Sequence, residues 1–175
     1  MMLIDYAWAM PNHETFKIKP IDEFIRNQIE GRRVPGKGQV IIDPFARRRS
    51  DYGAITNDIN PECKTDFNEC ALKFFTRFDD NSVDVVLYDP PYSLRQMKEC
   101  YQGFGYSLTQ EETRRFYADV KDQIARVLKP NGYCISFGWS TVGLGKTRNF
   151  HKCHLLIVCH GGTHNDTLCT LEVKM

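Results

Sequence analysis

The sequence has no apolar run near the roughly 18 consecutive residues that a membrane-spanning helix requires. Met1–Met10 also lacks the cationic start and small-residue cleavage site of a secretory signal, so a cytosolic protein is expected. Net charge is nearly missing too. At +1 over 175 residues, the chain gives no whole-molecule argument for a nucleic-acid or membrane partner. Positive charge is concentrated only locally, at Arg32-Arg33 and Arg47-Arg48-Arg49. There is no internal repeat, low-complexity tract or long linker. Seven cysteines are present, but their odd number and scattered spacing suit reduced thiols better than a disulfide framework. With 42% hydrophobic and 26% charged residues, the chain reads as one ordinary globular domain over 1–175, and disorder is excluded.

What is present alternates between helix-like and strand-like patterns. Behind Pro20, Ile21, Phe24, Ile25 and Ile29 recur at helical spacing with Asp22 and Glu23 in the first turn, which predicts a helix of about ten residues. Gly31–Gly38 reads as a loop. Gln39-Val40-Ile41-Ile42 follows as a buried strand ending at Asp43-Pro44, and Ala54-Ile55-Thr56-Asn57 as a second strand ending at Asp58. Val83–Tyr88 is a third, stopping at Asp89-Pro90-Pro91-Tyr92. Thr109 and Glu112 have the spacing of a capping box, and Phe116, Val120, Ile124, Val127 and Leu128 form the stripe of the helix it opens. Lys129-Pro130-Asn131-Gly132 ends that helix and Tyr133–Phe137 resumes as strand. Leu155–Cys159 and Leu168–Val173, joined by the turn-rich Gly161–Asp166, are expected to form a closing antiparallel pair. The pattern predicts an α/β fold, a mostly parallel doubly wound sheet with an antiparallel C-terminal edge and a ligand crevice at the strand C-terminal ends.

Three carboxylates, Asp43, Asp58 and Asp89, fall at or just after strand ends and would face that crevice together. Alone this is weak, because strand-end aspartates also cap turns. Asp89-Pro90-Pro91-Tyr92 is more specific. Two consecutive prolines remove two backbone donors and fix φ, leaving a rigid corner with outward carbonyls. The exocyclic nitrogen of a nucleobase is a poor nucleophile, its lone pair delocalised into the ring. The Asp89 carboxylate and Pro90 carbonyl could each accept one of its hydrogens and aim the lone pair at an electrophile, with Tyr92 offering a flat face to the base. The bland alternative is a strand-to-loop turn with an Asp cap.

On these residues the chain resembles the S-adenosylmethionine-dependent amino-methyltransferases that act on adenine N6 or cytosine N4 in DNA. The Asp89–Tyr92 tetrapeptide is similar to their catalytic motif, Val40–Ala46 to the strand and turn opening the methionine pocket, and Thr56–Glu62 to the strand with the ribose-binding acid. Thr15–Pro20 resembles the Lys-Pro segment lining the cofactor site; Asn81–Val86 and Val127–Gly132 are matches of the wider class. In order and compactness the chain looks most like small phage or prophage adenine methyltransferases, which implies a bacterial or infected-host cytoplasm. The resemblance implies a Rossmann-like class I methyltransferase fold, S-adenosylmethionine as cofactor, and DNA with a flipped or single-stranded base as partner. It implies that Thr15, Lys19 and Pro20 border the cofactor, Asp43, Phe45 and Ala46 its methionine end, and Asp58 its ribose. It also implies that Asp89, Pro90, Pro91 and Tyr92 carry the transfer.

Three departures stand out. Arg47-Arg48-Arg49-Ser50 replaces the usual glycines, so that either the loop takes another path, with an arginine meeting the cofactor carboxylate, or cofactor affinity is weakened or lost. The acidic residue expected near the adenine ring falls close to Cys70, leaving Asp66 as the nearest substitute. No stretch is long enough for a separate target-recognition domain. The competing readings are a catalytically impaired relative that binds nucleic acid or protein, and the same chemistry on RNA or a protein amide.

Ser140–Thr147 nearly spells a phosphate-binding loop, making a P-loop nucleotide-binding protein a further alternative; more simply it is a rim whose Lys146 and Arg148 touch substrate phosphates. His151, Cys153, His154, Cys159, His160 and His164 crowd the C-terminal region, but their spacing across a strand argues against zinc, and no metal is expected. Ser93–Tyr106 reads equally as a lid that orders over DNA or as a surface loop.

Overall fold

The computed structural model describes residues 2–107 and 109–175. Its strands are β1 (Leu3–Trp8), β2 (Ile41–Asp43), β3 (Ile55–Thr56), β4 (Val83–Tyr88), β5 (Leu128–Gly138), β6 (Phe150–Cys159) and β7 (Thr167–Lys174). The helices are α1 (Lys19–Gly31), α2 (Ala71–Phe75), α3 (Leu94–Gly103) and α4 (Gln110–Val127). One sheet runs in the order β1-β6-β7-β5-β4-β2-β3, with β7 antiparallel to both neighbours and the other pairs parallel.

The unalternating apolar run of β4 is explained by helices on both faces. Val85 and Leu87 join Ile21, Phe24 and Ile25 of α1, whereas Val86 and Tyr88 pack against Met97, Phe116, Val120 and Ile124 from α3 and α4. α1 starts with proline near its N-terminus and Asp22 in its first turn, and α4 starts with both reciprocal bonds of the Thr109–Glu112 capping box. After α4 the chain enters β5 at once. Asn131 adopts a left-handed φ of 63°, and pairing with β4 shifts register between Val83 and Val85, so the expected breaker is a kink inside a strand.

Two features differ from the sequence expectation. β6 and β7 form the antiparallel pair, but a further strand, β1, adds in parallel outside β6, where no strand is expected. Its side chains Leu3, Ile4, Tyr6 and Trp8 are all exposed, so no buried alternation marks it. Ser93–Tyr106, read as lid or loop, is largely the helix α3: Ser93 caps it, accepting from the Gln96 amide, and Met97 and Tyr101 anchor its inner face. No described helix is long and apolar enough to cross a membrane.

Candidate active site

β2, β3 and β4 are parallel neighbours, so their C-terminal ends deliver Asp43, Asp58 and Asp89 to one rim of the sheet. Asp43 is 1% exposed, and its Oδ1 accepts the Phe45 amide at 3.1 Å. Burial, together with the negative charges of Asp89 and Asp58, raises its carboxyl well above the ordinary range. Asp58 accepts the Arg47 amide at 3.0 Å and the Asn60 amide at 2.8 Å. Asp89 accepts the Tyr92 hydroxyl at 2.8 Å, and Thr15 Oγ1 lies 3.4 Å from that hydroxyl. Burial raises the Asp89 carboxyl; the Thr15 and Tyr92 hydroxyls and the nearby Arg47 charge oppose the rise. Asp43 thus senses the charges of the other two carboxylates although they are distant in sequence.

The Asp-Pro-Pro-Tyr corner is held by two neighbouring side chains. The Tyr117 hydroxyl of α4 donates to the Pro91 carbonyl, and the Tyr92 amide donates to Gln96 Oε1 at 3.1 Å. Among the described residues no donor reaches the Pro90 carbonyl, so this acceptor stays free. The Tyr92 ring meets Trp139 edge-on at 5.4 Å between centroids.

Two cavities meet here. The larger, about 490 Å³, lies within the usual range of small-molecule sites and is bordered by Asp58, Ile59, the Asp89–Tyr92 corner, Trp139 and His164. The smaller, about 40 Å³, lies between Glu14–Lys17, Asp43 and the Phe45–Tyr52 loop. Thr15, Phe45, Arg47 and Asp89 line both. Ala46 borders the smaller cavity, and Pro90 and Pro91 the larger.

Three expected site residues lie elsewhere. Lys19 and Pro20 open α1 outside both linings, and the Lys19 side chain, 85% exposed, reaches Glu23 at 3.8 Å. Asp66 also lines neither cavity. Its Oδ2 accepts the amide and the hydroxyl of Thr56 at 2.9 and 2.8 Å, bonds that lower its pKa and fix the end of β3. The acid beside Cys70 that does reach the larger cavity is Glu69, which Arg77 and Lys73 neutralise.

Several lining residues were not expected at the site. Asn57, fully buried, donates to the carbonyls of Pro44 and Glu69 and accepts the Glu69 amide, clipping together the two turns beside Asp43 and Asp58. Pro11, Asn12 and His13 come from the segment after β1, and His160, His164, Asn165 and Thr167 from the β6–β7 turn. The His160 Nδ1 bonds the Ala9 carbonyl at 2.7 Å and Nε2 the Thr167 hydroxyl at 2.8 Å. β6 runs parallel to β1 and ends on the same rim as β4, so a strand-end rule applied to β6 would have found this turn.

The remaining motifs have other employment. The Leu144 amide donates to Glu172 Oε2 at 2.6 Å and the Gly145 amide to Oε1 at 3.3 Å, so the loop that nearly spells a phosphate cradle closes on a carboxylate of β7. A Cβ at Gly143 would stand 2.1 Å from Glu172 Oε2. Arg148 does not face the crevice: it precedes β6 at the strand's N-terminal end, where its guanidinium binds Asp122 and the Leu144 carbonyl. His154 is spent on Asp5 at 2.7 Å and packs against Phe24.

No protein-family model matches the chain, and no curated protein sequence is significantly similar to it. Solved structures are similar in fold. TrmN from Thermus thermophilus superposes with a TM-score of 0.57 at 17% identity over 90% of this chain, which spans only 49% of TrmN. The N-methyltransferase NodS from Bradyrhizobium japonicum, solved with S-adenosyl-L-homocysteine, gives 0.54 at 8% identity, covering 93% of this chain and 88% of NodS. The 1,6-didemethyltoxoflavin-N1-methyltransferase of Burkholderia thailandensis, solved with its substrate and S-adenosylhomocysteine, gives 0.51 at 12%, covering 88% and 86%. At these identities the likeness is one of architecture: the chain has the α/β, Rossmann-like fold of class I methyltransferases.

Proposed function

We propose that this protein transfers the methyl group of S-adenosylmethionine to an exocyclic amino nitrogen of a nucleic-acid base, N6 of adenine in DNA being the preferred target. One observation carries the reading: the proline-stiffened corner at Asp89 borders the same cavities as Asp43 and Asp58, with the Pro90 carbonyl free. The donor set fits the cofactor. Asp58 stands ready for ribose hydroxyls, and the buried Asp43 and half-buried Asp89 are carboxylates without a basic ion-pair partner among the described residues, suited to a ligand that brings positive charge. Two of the structures with this fold are N-methyltransferases solved with S-adenosylhomocysteine, which supports both the cofactor and a nitrogen acceptor.

When bound, the cofactor supplies an electrophilic sulfonium methyl. The protein contributes alignment and hydrogen bonding. Asp89 and the Pro90 carbonyl accept the two amino hydrogens and hold the nitrogen lone pair in line. Asp89, whose carboxyl is raised by burial, would take the proton released from the amino nitrogen on transfer of the methyl group. Tyr92 and Trp139 wall the base, which must be unpaired or extruded to enter.

Mass spectrometry of nucleosides from the DNA and RNA of cells expressing the protein tests the reading; methyladenine in DNA above background is the expected result, and the absence of added base methylation from DNA and RNA alike removes it. Asp89→Ala is expected to abolish transfer with modest effect on cofactor affinity. Asp58→Ala is expected to weaken the cofactor chiefly. Unchanged activity in both variants would discard the assignment.

A further inference from the structure

The two edges of the sheet are built differently. β3 is two residues long, whereas β1 runs for six and carries no proline, lysine or arginine, the residues that usually blunt a free edge. Its one charge, Asp5, is taken by His154 Nε2 at 2.7 Å. Just past the strand, the Ala9 amide donates to the Cys159 carbonyl at 3.2 Å. By alternation the odd-numbered backbone groups face β6, and those of Ile4, Tyr6 and Trp8 point away from it, where no described strand meets them. The side chains of these three residues also share one face. Ala7, on the opposite face, packs against the core under α1, but Ile4, Tyr6 and Trp8 are 47%, 72% and 69% exposed, because α3 and α4 cover β4 and stop short of β1. Trp8 is held in place: its indole lies against Gly161, where a Cβ would stand 2.3 Å from the ring.

A long edge with free outward groups and an apolar flank is complementary to itself. We propose that β1 pairs antiparallel with β1 of a second copy of this chain, across a two-fold axis perpendicular to the sheet at Tyr6, joining the two sheets into one. Ile4 then lies opposite Trp8 of the second copy and Tyr6 opposite its own counterpart, and each of these pairs exchanges both N–H···O bonds. A register centred on Asp5 would set two carboxylates directly opposite each other; the Tyr6 register sets Asp5 opposite Ala7 instead. With about 150–250 Å² for an aromatic side chain, the exposed parts of Leu3, Ile4, Tyr6, Trp8 and Met10 amount to on the order of 600 Å² per copy. Two copies therefore hold about 1,200 Å² of such surface, the size at which stable interfaces begin. The pairing consumes the open edge of each copy, so association stops at two.

Sedimentation velocity on the whole protein across the micromolar range is expected to show a reversible equilibrium between monomer and dimer, with nothing larger. Tyr6 lies outside the core and both cavities, so Tyr6→Lys and Tyr6→Glu probe the edge without touching the candidate site. Two variants of opposite charge keep a fold defect in one from deciding the outcome; thermal melting identifies it. Each variant alone sets like charges opposite each other at the axis and is expected to weaken self-association roughly tenfold or more. An equimolar mixture of the two is expected to recover the dimer, because opposite charges then meet there. Amide exchange at Ile4, Tyr6 and Trp8, fast in the dilute monomer, is expected to slow as concentration rises. Wild type that stays monomeric throughout, a dimer indifferent to both substitutions, or a mixture that associates no better than its components overturns the inference. Growth past two copies overturns it as well, since a closed two-fold pair leaves no edge to extend.

Discussion

Asp43 shows what a buried carboxylate without an ion-pair partner among the described residues costs the fold. Its native carboxyl binds a proton more tightly than in the unfolded chain, so the associated stability is present at low pH and is lost as pH rises through the raised native value. Asp43→Asn keeps an acceptor for the Phe45 amide and removes the charge. The variant is expected to be more stable than wild type at pH 7 by about 1–2 kcal/mol, the usual scale for relieving a functional compromise. In melting curves across pH the gap closes toward the ordinary carboxylate value of 3.8. Asp43, Asp58 and Asp89 were legible in the sequence because each ends a strand, and strand ends share a rim. Asp66 was misplaced by its nearness in sequence to Cys70; its oxygen belongs to Thr56. Asn57 could not be read as a clip, because its partners, Pro44 and Glu69, lie on separate turns brought together only by the fold.

Among the elements, those announced by two independent signals were readable: α4 by its stripe and capping box, β4 by an apolar run ending in a proline corner. β1 and α3 were not. β1 lies at the sheet edge with exposed apolar side chains, and α3 hides two buried anchors among charged neighbours directly after the proline corner. The connection from β5 to β6 shows the same limit. Its glycines resemble a phosphate cradle, yet its amides close on Glu172. Gly143 has a φ of 59° and no room for a Cβ, so Gly143→Ala is expected to cost roughly 1–3 kcal/mol in urea denaturation through left-handed strain and a displaced carboxylate. Little change would mean that Glu172 does not organise this loop.

Across the whole molecule, protection follows position in the sheet. β4 and β5 lie inside, covered by the core on both faces, whereas β1 and the two-residue β3 are edges. Hydrogen exchange read by mass spectrometry is expected to show β4 and β5 amides opening only with global unfolding, and Leu3–Trp8 exchanging orders of magnitude faster. Uniform protection would contradict this ranking. The sheet order itself was only partly readable, since nothing local in Leu3–Trp8 reveals that it adds beyond β6. That addition has a practical corollary. The stretch leaving β1 goes directly to Pro11, Asn12 and His13 on the cavity wall, anchored by His160 at Ala9 and by Arg47 at His13. A purification tag fused ahead of Leu3 is therefore expected to disturb the wall of the larger cavity, and assays are better run on protein carrying its handle at the other terminus.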